Sequence, residues 1–158
     1  MPSPLDVHFA AIEAEYAEAL ARPLSARQAM LVAVLLDKYA DRLYFARREA
    51  ASTPAADGED ILAFRARLGQ QTPALAQVFD LCAVPPRARL ATRAHQVPIA
   101  DYPALSTADF MVSLYNGNTV QRVMLDAADG NMHLAHDTLA EAIDALEKLR
   151  PAGPTVLG

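Results

Sequence analysis

The stretch that most constrains this chain runs from Ser25 to Arg48. It contains no Gly and no Pro, and every position from Ala29 to Leu36 is apolar. Ser25 can act as an N-cap, and Gln28, three residues on, can return a bond to the Ser25 N–H in a capping box. Ala, Met, Leu, Gln, Lys and Arg fill the first and last turns and lose little side-chain freedom in a helix. Such a helix is roughly 36 Å long at ~1.5 Å per residue. Its second half is amphipathic: Leu36, Tyr39, Ala40, Leu43 and Phe45 lie towards one side, and Asp37, Lys38, Asp41, Arg42 and Arg47 towards the other. Its first half is apolar all round and needs neighbours on several sides. That apolar run is far short of the ~20 residues that cross a bilayer. A buried central helix is therefore expected, in a monomer core or at a subunit interface. Met30, Leu31, Val34 and Leu35 are the expected interface residues.

The flanking segments supply cover. Leu5, Phe9, Ile12, Tyr16 and Leu20 step by three or four residues and predict a first helix over Pro4–Ala21, with His8 beside the stripe. Arg22-Pro23-Leu24 is too short for anything but an antiparallel helical hairpin. After the long helix, residues 50–59 read as a mobile surface loop. Asp57 can cap a short helix from Gly58 to Leu68, with Ile61, Leu62, Phe64 (or Arg65) and Leu68 inward and Gly69 ending it. Thr72-Pro73 starts another, with Leu75, Val78, Phe79 and Cys82 on one face, and Pro85-Pro86 stops it.

The second half of the chain is less regular. Pro98 and Pro103 deny residues 85–105 a long helix, so extended or short helical pieces are expected there. Residues 106–115 allow a strand joined to the next by Asn116-Gly117, a strong hairpin signal. They equally allow a helix capped by Ser106, with Phe110, Met111, Leu114 and Tyr115 as its face and Asn116-Gly117 as its stop. The helix is preferred because start, face and stop agree. Thr119–Leu125 alternates and reads as a strand, Asp129-Gly130 as a turn, and Asn131–Ala135 as the partner strand. Thr138 and Glu141 suggest a capping box for a closing helix with Leu139, Ile143, Leu146 and Leu149 inward, after Asp137. Pro151 should end it and leave 151–158 as a loosely held tail. The expected fold is thus α+β and mostly helical, a single domain over residues 1–158. An N-terminal helical hairpin and further short helices precede a C-terminal β-hairpin and closing helix.

Composition narrows the function. The net charge of −5 argues against nonspecific nucleic-acid binding. The single cysteine, Cys82, excludes an intrachain disulfide and sits on an apolar face without a basic neighbour, so it reads as an inert thiol. The N-terminal MPSPLDVHFA has no signal-peptide pattern, and the expected location is the cytoplasm, away from membranes. No phosphate-cradling glycine loop, metalloprotease motif, nucleophile elbow or paired C-x-x-C is present, and no cofactor or metal is expected.

Candidate chemistry is sparse. His133-Leu-Ala-His136-Asp137 combines imidazole and carboxylate, which can bind a metal or act as a general base. On a strand end, however, the two histidines point to opposite faces. His95 and Asp101 are the loop groups that could join them, and Arg122 could supply a cation. Arg87, Arg89 and Arg93 form a basic run that could hold an anion, since guanidinium grips carboxylate or phosphate bidentately. More commonly such a run is a solvated face or pairs with the acidic C-terminal helix. The leading expectation is a small non-enzymatic association protein, homodimeric through the Ser25–Arg48 helix. The alternative is an enzyme or small-ligand domain with a polar pocket near His95, Asp101, Arg122, His133 and His136.

Overall fold

The computed structural model describes residues 1–50 and 58–151. Asp57, most of the expected loop and all of the expected tail beyond Pro151 lie outside the described residues.

Helix α1 (Pro4–Ala21) and helix α2 (Ala26–Ala50) form the expected antiparallel hairpin. Ser3 and Asp6 make a complete capping box at the start of α1. Ser25 caps α2 as expected, its Oγ accepting from Gln28 N–H at 3.0 Å. The return half of that box is absent, because the Gln28 side chain donates instead to the Glu15 carbonyl and carboxylate of α1. Helix α3 (Ile61–Gln71) and helix α4 (Pro73–Cys82) follow. Asp60, whose carboxylate accepts from Ala63 N–H at 2.7 Å, caps α3. Gly69 does not end α3. It lies within the helix, where a Cβ would stand 3.1 Å from Ala76 Cβ of α4.

Strand β1 (Arg89–Gln96), a 3₁₀ helix (Ile99–Ala104), helix α5 (Thr107–Tyr115), strand β2 (Thr119–Asp126), strand β3 (Met132–Leu134) and helix α6 (Ala135–Lys148) complete the chain. The fold is α+β and mostly helical, and residues 107–115 take the helical alternative. The sheet is antiparallel in the order β1-β2-β3. Its first strand lies in the segment the sequence left irregular, where Arg89-Leu-Ala-Thr-Arg-Ala-His-Gln has few of the β-branched residues that mark strands. β3 runs directly into α6, so the helix begins before Thr138. Thr138 is buried, and its hydroxyl donates to Gln77 Oε1 instead of capping.

α2 is central, packing against α1, α3, α4, α6 and β1. Ala29, Val32, Ala33, Leu36, Tyr39, Ala40 and Leu43 have no exposed surface. Phe9 and Ile12 of α1, Leu75 and Val78 of α4, Leu139, Ala142 and Leu146 of α6, and Val123 and Leu125 of β2 share one core cluster with them. Three expectations fail at helix margins. Leu20 is exposed while Ala19 is buried, Phe45 is exposed while Tyr44 is buried, and Leu62 is exposed. In each case a stripe read at coarse spacing drifts off the true contact line. Asp37, expected to face water, is buried against Arg65.

Candidate interaction surface

α5 is built inside out. Ser106 Oγ accepts from Asp109 N–H at 3.2 Å and caps it, and Asp109 pairs with Arg122 of β2 at 3.0 Å. The one fully buried side chain of the helix is Ser113. Its hydroxyl donates to Tyr102 Oη at 2.8 Å, and Tyr102 in turn donates to Asn118 Oδ1. The Tyr102 and Phe110 rings meet edge-on with centroids 5.4 Å apart. Gly117 and Asn118 both have positive φ, which turns the chain sharply from α5 into β2. A polar chain and one ion pair thus help fasten α5 to the sheet, on the face of β2 that also carries the buried Val120 and Met124.

The solvent side of α5 is correspondingly apolar. Phe110, Met111, Val112, Leu114 and Tyr115 are all exposed, and Tyr115 retains 84% of its surface. The face expected for this helix, Phe110, Met111, Leu114 and Tyr115, points out. Ile99 of the adjoining 3₁₀ helix is also exposed. No residue from 97 to 118 belongs to the main core cluster. Single exposed apolar side chains are ordinary, but a whole helix face of them without a charge is not.

The residues singled out for chemistry are dispersed. His95 of β1 lies opposite Val120, and His133 of β3 lies opposite Leu125, itself opposite Leu90. Leu90 and His95 are five residues apart on one strand, so the two histidines occupy opposite faces of the sheet. Asp101 is exposed on the 3₁₀ helix. Arg122 is held by Asp109. His136, in the first turn of α6, sets Nε2 3.0 Å from the Ala19 carbonyl near the C-terminus of α1. No group of three or more His, Cys, Asp or Glu among the described residues could hold a metal ion.

His133 and Asp137 line a cleft of about 260 Å³, which they share with Gln77, Thr138 and Glu141. The His133 Nε2 is buried and has no partner among the described residues. In the basic run, Arg93 pairs with Asp126 at 2.6 Å, whereas Arg87 and Arg89 are exposed and form no ion pair among the described residues. Burial pushes the Cys82 thiol up to about 11, which keeps it protonated and unreactive.

Of the expected interface, Met30 and Leu35 are half-buried against the chain's own core, and Leu31 and Val34 are exposed. Arg27, Lys38 and Arg42 surround those two on the outer face of α2. The apolar surface left uncovered therefore lies more on α5 than on α2. The signal is present in the sequence: a face with no charge on a helix whose Asp109 and Ser113 lie away from it. No helix among the described residues is long and apolar enough to cross a membrane. No family model matches the chain, and no curated protein or solved structure matches it either.

Proposed function

We propose that the protein is a non-enzymatic, cytoplasmic association module that self-assembles as a weak homodimer through α5. The observation that carries this reading is the inverted helix, with Ser113 buried and Met111, Leu114 and Tyr115 in solvent. A face without charge can meet a second copy of itself about a two-fold axis with no like-charge repulsion, which favours an isologous contact. Ala108 on the same face lets two helices approach closely. The segment 97–118 contains no Lys or Arg, so a contact with anionic lipid has no electrostatic support. A nine-residue helix and Ile99 cover less than the ~800 Å² per partner of a standard interface, so the expected Kd lies between about 1 μM and 1 mM.

Light scattering after size exclusion tests this over a range of protein concentrations. The mass should climb from 17.0 kDa towards twice that value as concentration rises. Leu114→Asp should hold it at the monomer value without changing helical content. A wild-type mass that stays monomeric into the millimolar range, or a dimer untouched by Leu114→Asp, would overturn the proposal.

A further inference from the structure

The ladder geometry determines which backbone groups of β1 are left over. Val97 N–H donates to the Asn118 carbonyl at 2.6 Å, one step beyond the paired residues Gln96 and Thr119. In an antiparallel pair, opposed residues alternate between those that exchange hydrogen bonds and those that do not. Counting back from Val97 by twos, His95, Arg93, Ala91 and Arg89 turn their backbone groups towards β2. Leu90, Thr92, Ala94 and Gln96 turn theirs to the other edge. The far side of β2 agrees. Ala127 N–H donates to Asn131, so alternate residues back from Ala127 serve β3 and leave Arg122, Met124 and Asp126 for β1.

β1 is an end strand of the sheet, and Thr92, Ala94 and Gln96 are exposed. No described residue pairs with the backbone of these three or of Leu90. An open edge of this length is a template for another strand. Charge decides what that strand can be. Arg89, Arg93 and His95 alternate along one face of β1, and Arg87 stands just before it. A second β1 laid antiparallel along the edge would bring two such basic rows together, which like-charge pairing disfavours.

We infer that the free edge of β1 accepts an extended acidic peptide segment as a fourth strand. Backbone bonds to Leu90, Thr92, Ala94 and Gln96 would hold it. Carboxylates at alternate positions would meet the exposed Arg89 and Arg87, which form no ion pair among the described residues, and small or apolar side chains would fill the positions between. This surface is separate from α5 and does not depend on self-association.

The probe is an end-blocked, fluorescently labelled peptide alternating Glu and Val, followed by anisotropy, with a peptide alternating Lys and Val as control. The Glu peptide should bind, more weakly as salt is added, and the Lys peptide should not. Ala94→Pro removes an N–H that the β1–β2 ladder does not use and should weaken binding about tenfold or more while leaving the circular dichroism unchanged. Arg89→Glu, which leaves the backbone intact, should weaken it comparably. Amide exchange at Thr92 and Ala94 should slow when the peptide is bound. Equal binding of the Lys peptide, or full binding by folded Ala94→Pro together with unchanged exchange at these amides, would overturn the inference.

Discussion

Arg65 of α3 grips Asp37 of α2, a residue that sequence periodicity sets on the water side of its helix. The same guanidinium donates to Asp41 at 2.8 Å and to the Asp37 carbonyl at 3.2 Å, and it lies 4.1 Å from the Phe79 ring centroid. One side chain thus joins α2, α3 and α4. Paired Asp37 and Asp41 raise the Arg65 pKa against the opposing effect of its burial, so it stays charged at every working pH.

Removing only the cation should therefore be costly. Arg65→Met keeps much of the packing on Phe79 but leaves Asp37 buried without its partner. The expected loss is roughly 2–4 kcal/mol, somewhat less than for a fully buried pair because Arg65 keeps some solvent contact. Adding Asp37→Leu should recover most of that loss, since an apolar pair of similar volume carries no desolvation cost. Urea denaturation of the two singles and the double gives the coupling. A double mutant no more stable than Arg65→Met would show that the pair is not the source of the loss.

Gly69 offers a second check, on the α3–α4 contact. A side chain there gains helix propensity worth about 1 kcal/mol over glycine. The space is not available, because a Cβ already falls 3.1 Å from Ala76 Cβ. Gly69→Leu should destabilise by about 1–3 kcal/mol through overpacking, despite the better helix former. Pairing it with Ala76→Gly should return part of the loss. A stabilised Gly69→Leu would mean that α3 and α4 can separate freely.

How much of this was legible follows from where side-chain patterning outweighs pairing. The α1–α2 hairpin, the long central helix and the β2–β3 hairpin each carry local signals: caps, an unbroken 3.6-residue period, a β-branched alternating run and Asp129-Gly130. β1 carries none, because Arg89-Leu-Ala-Thr-Arg-Ala-His-Gln becomes a strand through its partner β2. The face of α5 is legible as a face, but the side it turns to is not. Apolar content alone does not say which side of the helix packs, and the bonds among Ser113, Tyr102 and Asn118 leave no periodic signal. Asp37 departs from the helical period because its partner lies 28 residues away on another helix. Whether the alternative pocket near His95, Asp101, Arg122, His133 and His136 forms is not legible in the sequence, since strand register decides which sheet face His95 and His133 take.

His8 makes stability pH-dependent. It is 8% exposed, and its Nε2 donates to the Leu35 carbonyl at 2.8 Å. Burial, more than any other influence, lowers its pKa from the ordinary 6.5. The unfolded chain then binds a proton more readily than the folded one. Its contribution to stability is therefore complete above about pH 6.5 and falls as pH drops through that value towards the folded pKa. The urea midpoint should decline between pH 7.5 and pH 5, and His8→Gln, which keeps an N–H for Leu35, should flatten that part of the decline. An unchanged slope in His8→Gln would assign the dependence to other groups.

The polar chain beneath α5 should behave as a local fastening. Tyr102 accepts from Ser113 and donates to Asn118, and no residue of this segment belongs to the main core cluster. Tyr102→Phe removes both bonds and leaves the fully buried Ser113 hydroxyl to find a helix carbonyl. The loss should be about 1–2 kcal/mol, felt by the segment and not by the whole chain. Amide exchange over residues 99–118 should accelerate, while protection in α2 and α6 and the global urea midpoint barely move. Adding Ser113→Ala should restore part of the protection, because two matched apolar groups replace an orphaned polar one. An equal loss of protection in α2 would show instead that α5 unfolds only with the core, and that its apolar face is presented by a rigid platform.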